Sequence, residues 1–221
     1  MSRASRAISW VLALACPLAQ AAGGHHAVDD AAILAPGSCE LEAWGSSFNG
    51  AGQRFQAGAN CRAGPVELGV AGLHERRGEE RPTEYGLQAK WAQGWLPGLS
   101  VGWSLVAAWQ ARPQQGFLGS SASALLTWAA RDDLALHLNL GRDFVHGGPD
   151  QGRNGVALEW TPRAGWSLVG ERYEEDRTQF LRAGVRLAVT EAVSVDMSRA
   201  QSLSGPGPSR WTVGATWQFS R

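Results

Sequence analysis

The side chains that could do chemistry fall into four groups. Glu159, Glu171, Arg182, Arg186 and Asp196 sit at alternate positions in segments whose other positions are apolar. Carboxylates and guanidiniums on one face of neighbouring strands can pair bidentately, whereas an unpaired charge in a closed interior is costly. Such a set either braces an interior or lines a path that sorts solutes by charge. His137 and Asn139 share a face in the same manner. Nucleophilic catalysis would need a hydroxyl or thiol held against that histidine, and no Ser is fixed near it by sequence, so the chain reads as a non-enzyme. His25 and His26 stand close to Asp29 and Asp30, and imidazole with carboxylate can bind Zn or Cu. In so short a tract the plainer reading is a flexible polar leader, with no metal or cofactor assigned. Cys39 and Cys61 form the last group.

The elements that must position these residues are strands. In residues 210–219, Trp211, Val213, Ala215, Trp217 and Phe219 share one face, and Arg210, Thr212, Gly214, Thr216 and Gln218 share the other. The same alternation recurs in Val66, Leu68 and Val70, and in Tyr85, Leu87, Ala89 and Trp91. It is clearest in Leu99, Val101, Trp103, Leu105, Ala107 and Trp109. Residues 118–128 are weaker, being rich in Ser and Ala; Leu134, Leu136, Leu138 and Leu140 resume the pattern, and it continues to the end of the chain. Asn49-Gly50 between two alternating runs is a hairpin signal, and a turn centred on Gly50 sets Cys39 opposite Cys61. An exported chain would oxidise that pair to a disulfide.

Export is indicated by the first residues. Arg3 and Arg6 precede the apolar stretch 7–16, and Ala19-Gln20-Ala21 is a small-x-small cleavage site, so residues 1–21 read as a signal peptide and 22–37 as the leader. Leu14-Ala15-Cys16-Pro17 departs from a lipoprotein box at Ala13 and Pro17. No later run is long enough for a membrane helix, so entry into a bilayer requires a closed barrel of strands. The 28 Gly and 11 Trp fit a barrel with many turns and interfacial aromatics, and the net charge of +0 gives no field for nucleic acid. Trp91, Trp109, Trp128, Trp160, Trp166, Trp211 and Trp217 lie at or near segment ends, as in aromatic girdles.

Residues 29–44, Asp-Asp-Ala-Ala-Ile-Leu-Ala-Pro-Gly-Ser-Cys-Glu-Leu-Glu-Ala-Trp, resemble the start of a family of outer-membrane transporter proteins, including ones linked to the meta-pathway of phenol degradation. Leu138-Asn-Leu-Gly141 and Trp166-Ser-Leu-Val-Gly-Glu171 are similar to its later strands. The resemblance implies a transporter-type barrel and supplies no binding residues. The expectation is an all-β, antiparallel transmembrane barrel of about twelve strands, with ten possible, over residues 38–221. Its partners would be outer-membrane lipid, the barrel assembly machinery through the closing strand, and a small solute. A passive channel is the leading function; a closed structural barrel and a soluble periplasmic β-sandwich are the alternatives.

Overall fold

The computed structural model describes residues 25–49 and 52–220. The expected signal peptide, the lipoprotein-like residues 14–17 and Gly50-Ala51 of the first turn lie outside the described residues. Twelve antiparallel strands follow one another round a closed barrel: β1 (Ser38–Phe48), β2 (Gln53–Ala63), β3 (Val66–Arg76), β4 (Thr83–Leu96), β5 (Leu99–Arg112), β6 (Gly116–Arg131), β7 (Leu134–Val145), β8 (Gln151–Arg163), β9 (Trp166–Glu175), β10 (Thr178–Ala188), β11 (Val193–Ser204) and β12 (Arg210–Ser220). Closure comes from β1 pairing with β12, which sets Cys39 opposite Phe219 and Ala43 opposite Ala215. Closure leaves no sheet edge, which excludes the β-sandwich. The Ser/Ala-rich region that blurred the strand count is the longest strand, the 16-residue β6. Its inner face carries Ser121 and Ser123, small side chains that bring no apolar alternation with them.

An even strand number puts Ser38 and Ser220 at one end. The connections at that end are two residues long except for residues 189–192, while those at the far end include residues 77–82, 146–150 and 205–209. Short turns mark the periplasmic end. Outward faces carry Leu68, Val70, Leu87, Leu105, Leu158 and Val213, each about half exposed to what would be lipid. Trp95, Trp128, Trp160, Trp166 and Trp217 stand near the periplasmic end, and Tyr85, Trp109, Phe117 and Trp211 near the other. These are two girdles. Trp91 sits further in, opposite Trp103, and Trp44 faces the lumen.

The first hairpin has the expected register, with Cys39 opposite Cys61, Leu41 opposite Ala59 and Ala43 opposite Ala57. The two cysteines form a disulfide with Cα atoms 4.1 Å apart, at the periplasmic end of β1 and β2. It closes a sequence separation of 22 residues. Replacing both cysteines by Ser should lower stability by roughly 3 kcal/mol on loop-closure grounds. A urea midpoint in detergent that is unchanged between oxidised and reduced protein would rule this out.

Residues 25–37 correct one expectation. They are not a flexible leader but run inside the barrel, from Gly37 at the periplasmic rim back to His25 at mid-height. Val28 is wholly buried and Ala31 nearly so. The polar look of the tract reflects where it lies: a lumen-filling segment needs polar groups that answer those of the barrel wall.

Candidate solute path and the segment that fills it

The lumen is built by the inward residue of each alternating pair. Glu171 on β9 is the centre of the leader's attachment. One of its oxygens accepts the backbone N–H groups of Ala27 and Val28, both at 3.0 Å. The other meets His26 Nδ1 at 2.5 Å and Arg182 Nη1 at 3.3 Å. A buried carboxylate holding four donors is as fully satisfied as its chemistry allows. Arg182 Nη1 also donates to the His25 carbonyl at 2.5 Å, and its Nη2 to the Tyr173 hydroxyl at 2.7 Å. Asn139 on β7 makes a reciprocal amide pair with Asp29, accepting its N–H at 2.5 Å and donating to its carbonyl at 2.8 Å. Lys90 on β4 donates to Asp29 at 2.7 Å and Asp30 at 2.9 Å. Nearer the rim, Thr127 accepts from Ala31 N–H at 2.8 Å, Glu67 accepts from Leu34 N–H at 2.9 Å, and Arg62 donates to the Leu34 carbonyl at 2.9 Å.

An apolar contact accompanies these bonds. Val28 packs among Ala157, Val169, Tyr173, Phe180 and Ala200, the inner faces of β8 to β11. Gly155 makes room for it: a Cβ there would lie 2.6 Å from Val28 Cγ2. Gly184 does the same for His26, with a Cβ falling 3.2 Å from its ring. Gly155→Val should therefore displace the leader from its seat, since both Val28 and the β9 backbone beside it block relaxation. Faster hydrogen exchange at the amides of 27 and 28 is the readout; unchanged protection would refute it.

Two further pairs among the expected residues lie nearer the periplasmic end than Glu171 and Arg182. Arg186 meets Asp196 at 2.7 Å, and His137 Nε2 lies 3.5 Å from Glu159. His137 Nδ1 is 2.9 Å from the Thr127 hydroxyl, an order of groups that looks like a hydroxyl–imidazole–carboxylate relay. The hydroxyl oxygen also accepts the Ala31 N–H, and His137 is 2% exposed with the leader seated. Strand pairing sets Arg186 opposite Asp196 and Arg182 opposite Glu171. Of the seven expected lining residues, Asn139 and Arg182 border the open cavity, while Glu171 is covered by the leader. His25 and His26 do not share a ligand position with Asp29 and Asp30: the former bond Ser198 and Glu171, the latter Lys90. Among the described residues no group of three or more His, Cys, Asp or Glu is placed to hold a metal.

Sequence reasoning missed Lys90, Arg54, Tyr173, Glu175 and Arg210. Arg54 on β2 pairs with Glu75 at 2.8 Å and reaches to within 3.9 Å of Glu175 on β9, five strands away, while Glu175 is also paired with Arg210. This chain of charges crosses the lumen near its extracellular end. Between it and the leader lies a cavity of about 630 Å³, bordered by Trp44, Gln56, Gln88, Ser104, Ser121 and Ser123 among others. Carboxylates outnumber Arg and Lys along its lining. In the extracellular β9–β10 turn, burial raises the Asp176 carboxyl above its ordinary value, and neighbouring Glu175 adds to this. In the periplasmic β6–β7 turn, the hydrogen bond from Arg131 holds Asp133 below the ordinary value.

Solved structures share this architecture. The KdgM porin aligns with a TM-score of 0.65 at 10% identity, covering 81% of this chain and 99% of that one. The NanC porin aligns at 0.57 and 8% identity, covering 81% and 98%. The Ralstonia pickettii toluene transporter TbuX aligns at 0.50 and 11% identity, covering 83% and 89%. Identities this low speak for the fold. No curated protein sequence is significantly similar to the chain. A closed twelve-strand barrel with an apolar outer belt and a polar interior belongs in the bacterial outer membrane. Over residues 10–219 the chain matches the description "Uncharacterised conserved protein UCP029691", and it belongs to that family.

Proposed function

We propose that this barrel is a passive, porin-like route for small solutes, and that its own N-terminal segment occupies the periplasmic half of the route. The observation that carries the reading is the polar cavity of about 630 Å³ between the extracellular charge bridge and the leader. Conduction needs groups that bind a solute weakly and repeatedly, and a lining of amides, hydroxyls and paired charges meets that need. Excess carboxylate favours neutral or cationic solutes over anions. This differs from the KdgM porin, which has been solved in complex with a disordered oligogalacturonate. The resemblance to phenol-degradation transporters makes small phenols the first neutral solutes to try. Liposome swelling with a leader-free barrel should report faster entry of neutral and cationic solutes than of anions of equal size. Absence of entry for every class would overturn the reading.

The seated leader also favours a second reading, a closed envelope barrel with a structural role. It predicts the same absence of entry with and without the leader.

The outward Trp217 and Phe219 on the closing strand supply the signal for barrel assembly in this account. Phe219→Ala should reduce the amount of heat-modifiable barrel recovered from outer membranes, and an unchanged yield would remove that role. Export by residues 1–21 completes the proposal.

A further inference from the structure

We infer that the inner wall of β4 and β6 to β11 forms a binding groove for a short extended peptide with an apolar residue followed by two acidic ones, and that Val28-Asp29-Asp30 is its resident, bound reversibly. Three independent observations point to this.

The wall reads backbone as a peptide receptor does. Consecutive amides of Ala27, Val28 and Asp29, then that of Ala31, each donate to a side chain of the barrel. Asn139 returns a bond to the Asp29 carbonyl, so it mimics the two-way pairing of a neighbouring strand. A closed barrel has no free edge to offer, so side chains take over that duty.

The wall also reads side chains. Val28 fills an apolar pocket whose floor is vacated at Gly155, and Lys90 holds both carboxylates that follow. Apolar and acidic positions in the peptide are thereby distinguished from others.

The seated stretch is joined to the barrel by a short tether that is held to the wall at Leu34. Ala32, Ala35, Pro36 and Gly37 are exposed, and Gly37 turns with φ of 77° into β1. Among the described residues the leader's backbone meets a strand's only where Ser38 N–H donates to the Ala35 carbonyl at 3.0 Å in the turn into β1, and residues 25–31 make no such bond. Residues 25–31 can leave the wall without breaking a strand pair. A short tether keeps their local concentration on the order of millimolar, so the resident is favoured over free peptides yet exchangeable.

This deepens the reading of the lumen as a route, because the groove lies across it. The test uses the full chain with Val28→Asp, Asp29→Asn and Asp30→Asn, which leaves the wall intact and unseats the resident. A fluorescein-labelled synthetic peptide of residues 25–37 is titrated into this variant and into the unaltered protein, with anisotropy as the readout. The peptide should saturate the variant and bind the unaltered protein at least about tenfold more weakly; a peptide carrying both Asn substitutions should lose about tenfold or more on the variant. Equal binding by the two peptides, or no binding to the variant, overturns the groove. If the variant does not refold, hydrogen exchange on the unaltered chain decides. Amides 27–31 opening together while the strands stay protected supports exchange, and opening only with global unfolding overturns it. Binding without any solute entry would sink the channel reading and leave the groove standing; entry without binding would do the reverse.

Discussion

Glu171→Ala should release the leader and weaken the barrel in one step. The substitution removes the acceptor for two backbone amides and for His26, and leaves Arg182, 2% exposed, without its carboxylate. Removing one partner of a buried pair costs about 3–5 kcal/mol, because the remaining charge stays desolvated. Arg182 keeps the Tyr173 hydroxyl, which places the expectation at about 3 kcal/mol. Once the leader departs, water can reach Arg182 and limit the loss. Hence Glu171→Ala should lose less in global stability than in leader protection. Glu171→Gln keeps an acceptor for the amides and should fall between. Urea midpoints paired with amide exchange at residues 27 and 28 separate the two effects; a fall in midpoint with the leader still fully protected would contradict the clamp.

Lys90→Met is the second large effect. Lys90 is the ammonium shared by Asp29 and Asp30, and the Asp30 side chain is 4% exposed. Without the lysine, the buried Asp30 carboxylate is left unpaired beside Asp29, whose side chain is 37% exposed, at a cost to docking of about 3 kcal/mol. The rescue is specific. Adding Asp29→Asn and Asp30→Asn removes the orphaned charges, so the triple variant should dock its leader better than Lys90→Met alone. A coupling of at least about 1 kcal/mol between the sites is expected for groups in direct contact. Additive losses in leader protection would mean that the ion pair does not hold the segment.

The barrel was legible in the sequence because its signal is short-range. Alternation on the Leu99–Trp109 run or on Trp211–Phe219 needs only the pleat of one strand, and the Asn49-Gly50 turn fixed the register that brought Cys39 to Cys61. Neighbouring-strand pairs such as Arg186 with Asp196 followed from the same logic. What alternation does not encode is contact across the lumen. Arg54 with Glu175 and Lys90 with Asp30 join residues far apart in sequence and not adjacent in the sheet. The leader was hardest to place, because no period marks a segment that forms neither strand nor helix. Its signal lay in composition: Ala27-Val28 beside Asp29-Asp30 matches an apolar pocket beside an ammonium, and that match needs both surfaces in view. Inward Gly155 and Gly184 carry no side chain to mark them in the sequence, and their bare backbone seats Val28 and His26.

Single-channel conductance of the intact barrel against one lacking residues 25–37 tests the account most directly. If the leader is seated about nine tenths of the time, its removal raises the mean current about tenfold. The intact protein should show a low current with brief openings, and the leader-free barrel a sustained open level that prefers cations. Equal currents from the two proteins, whether both open or both silent, would contradict it.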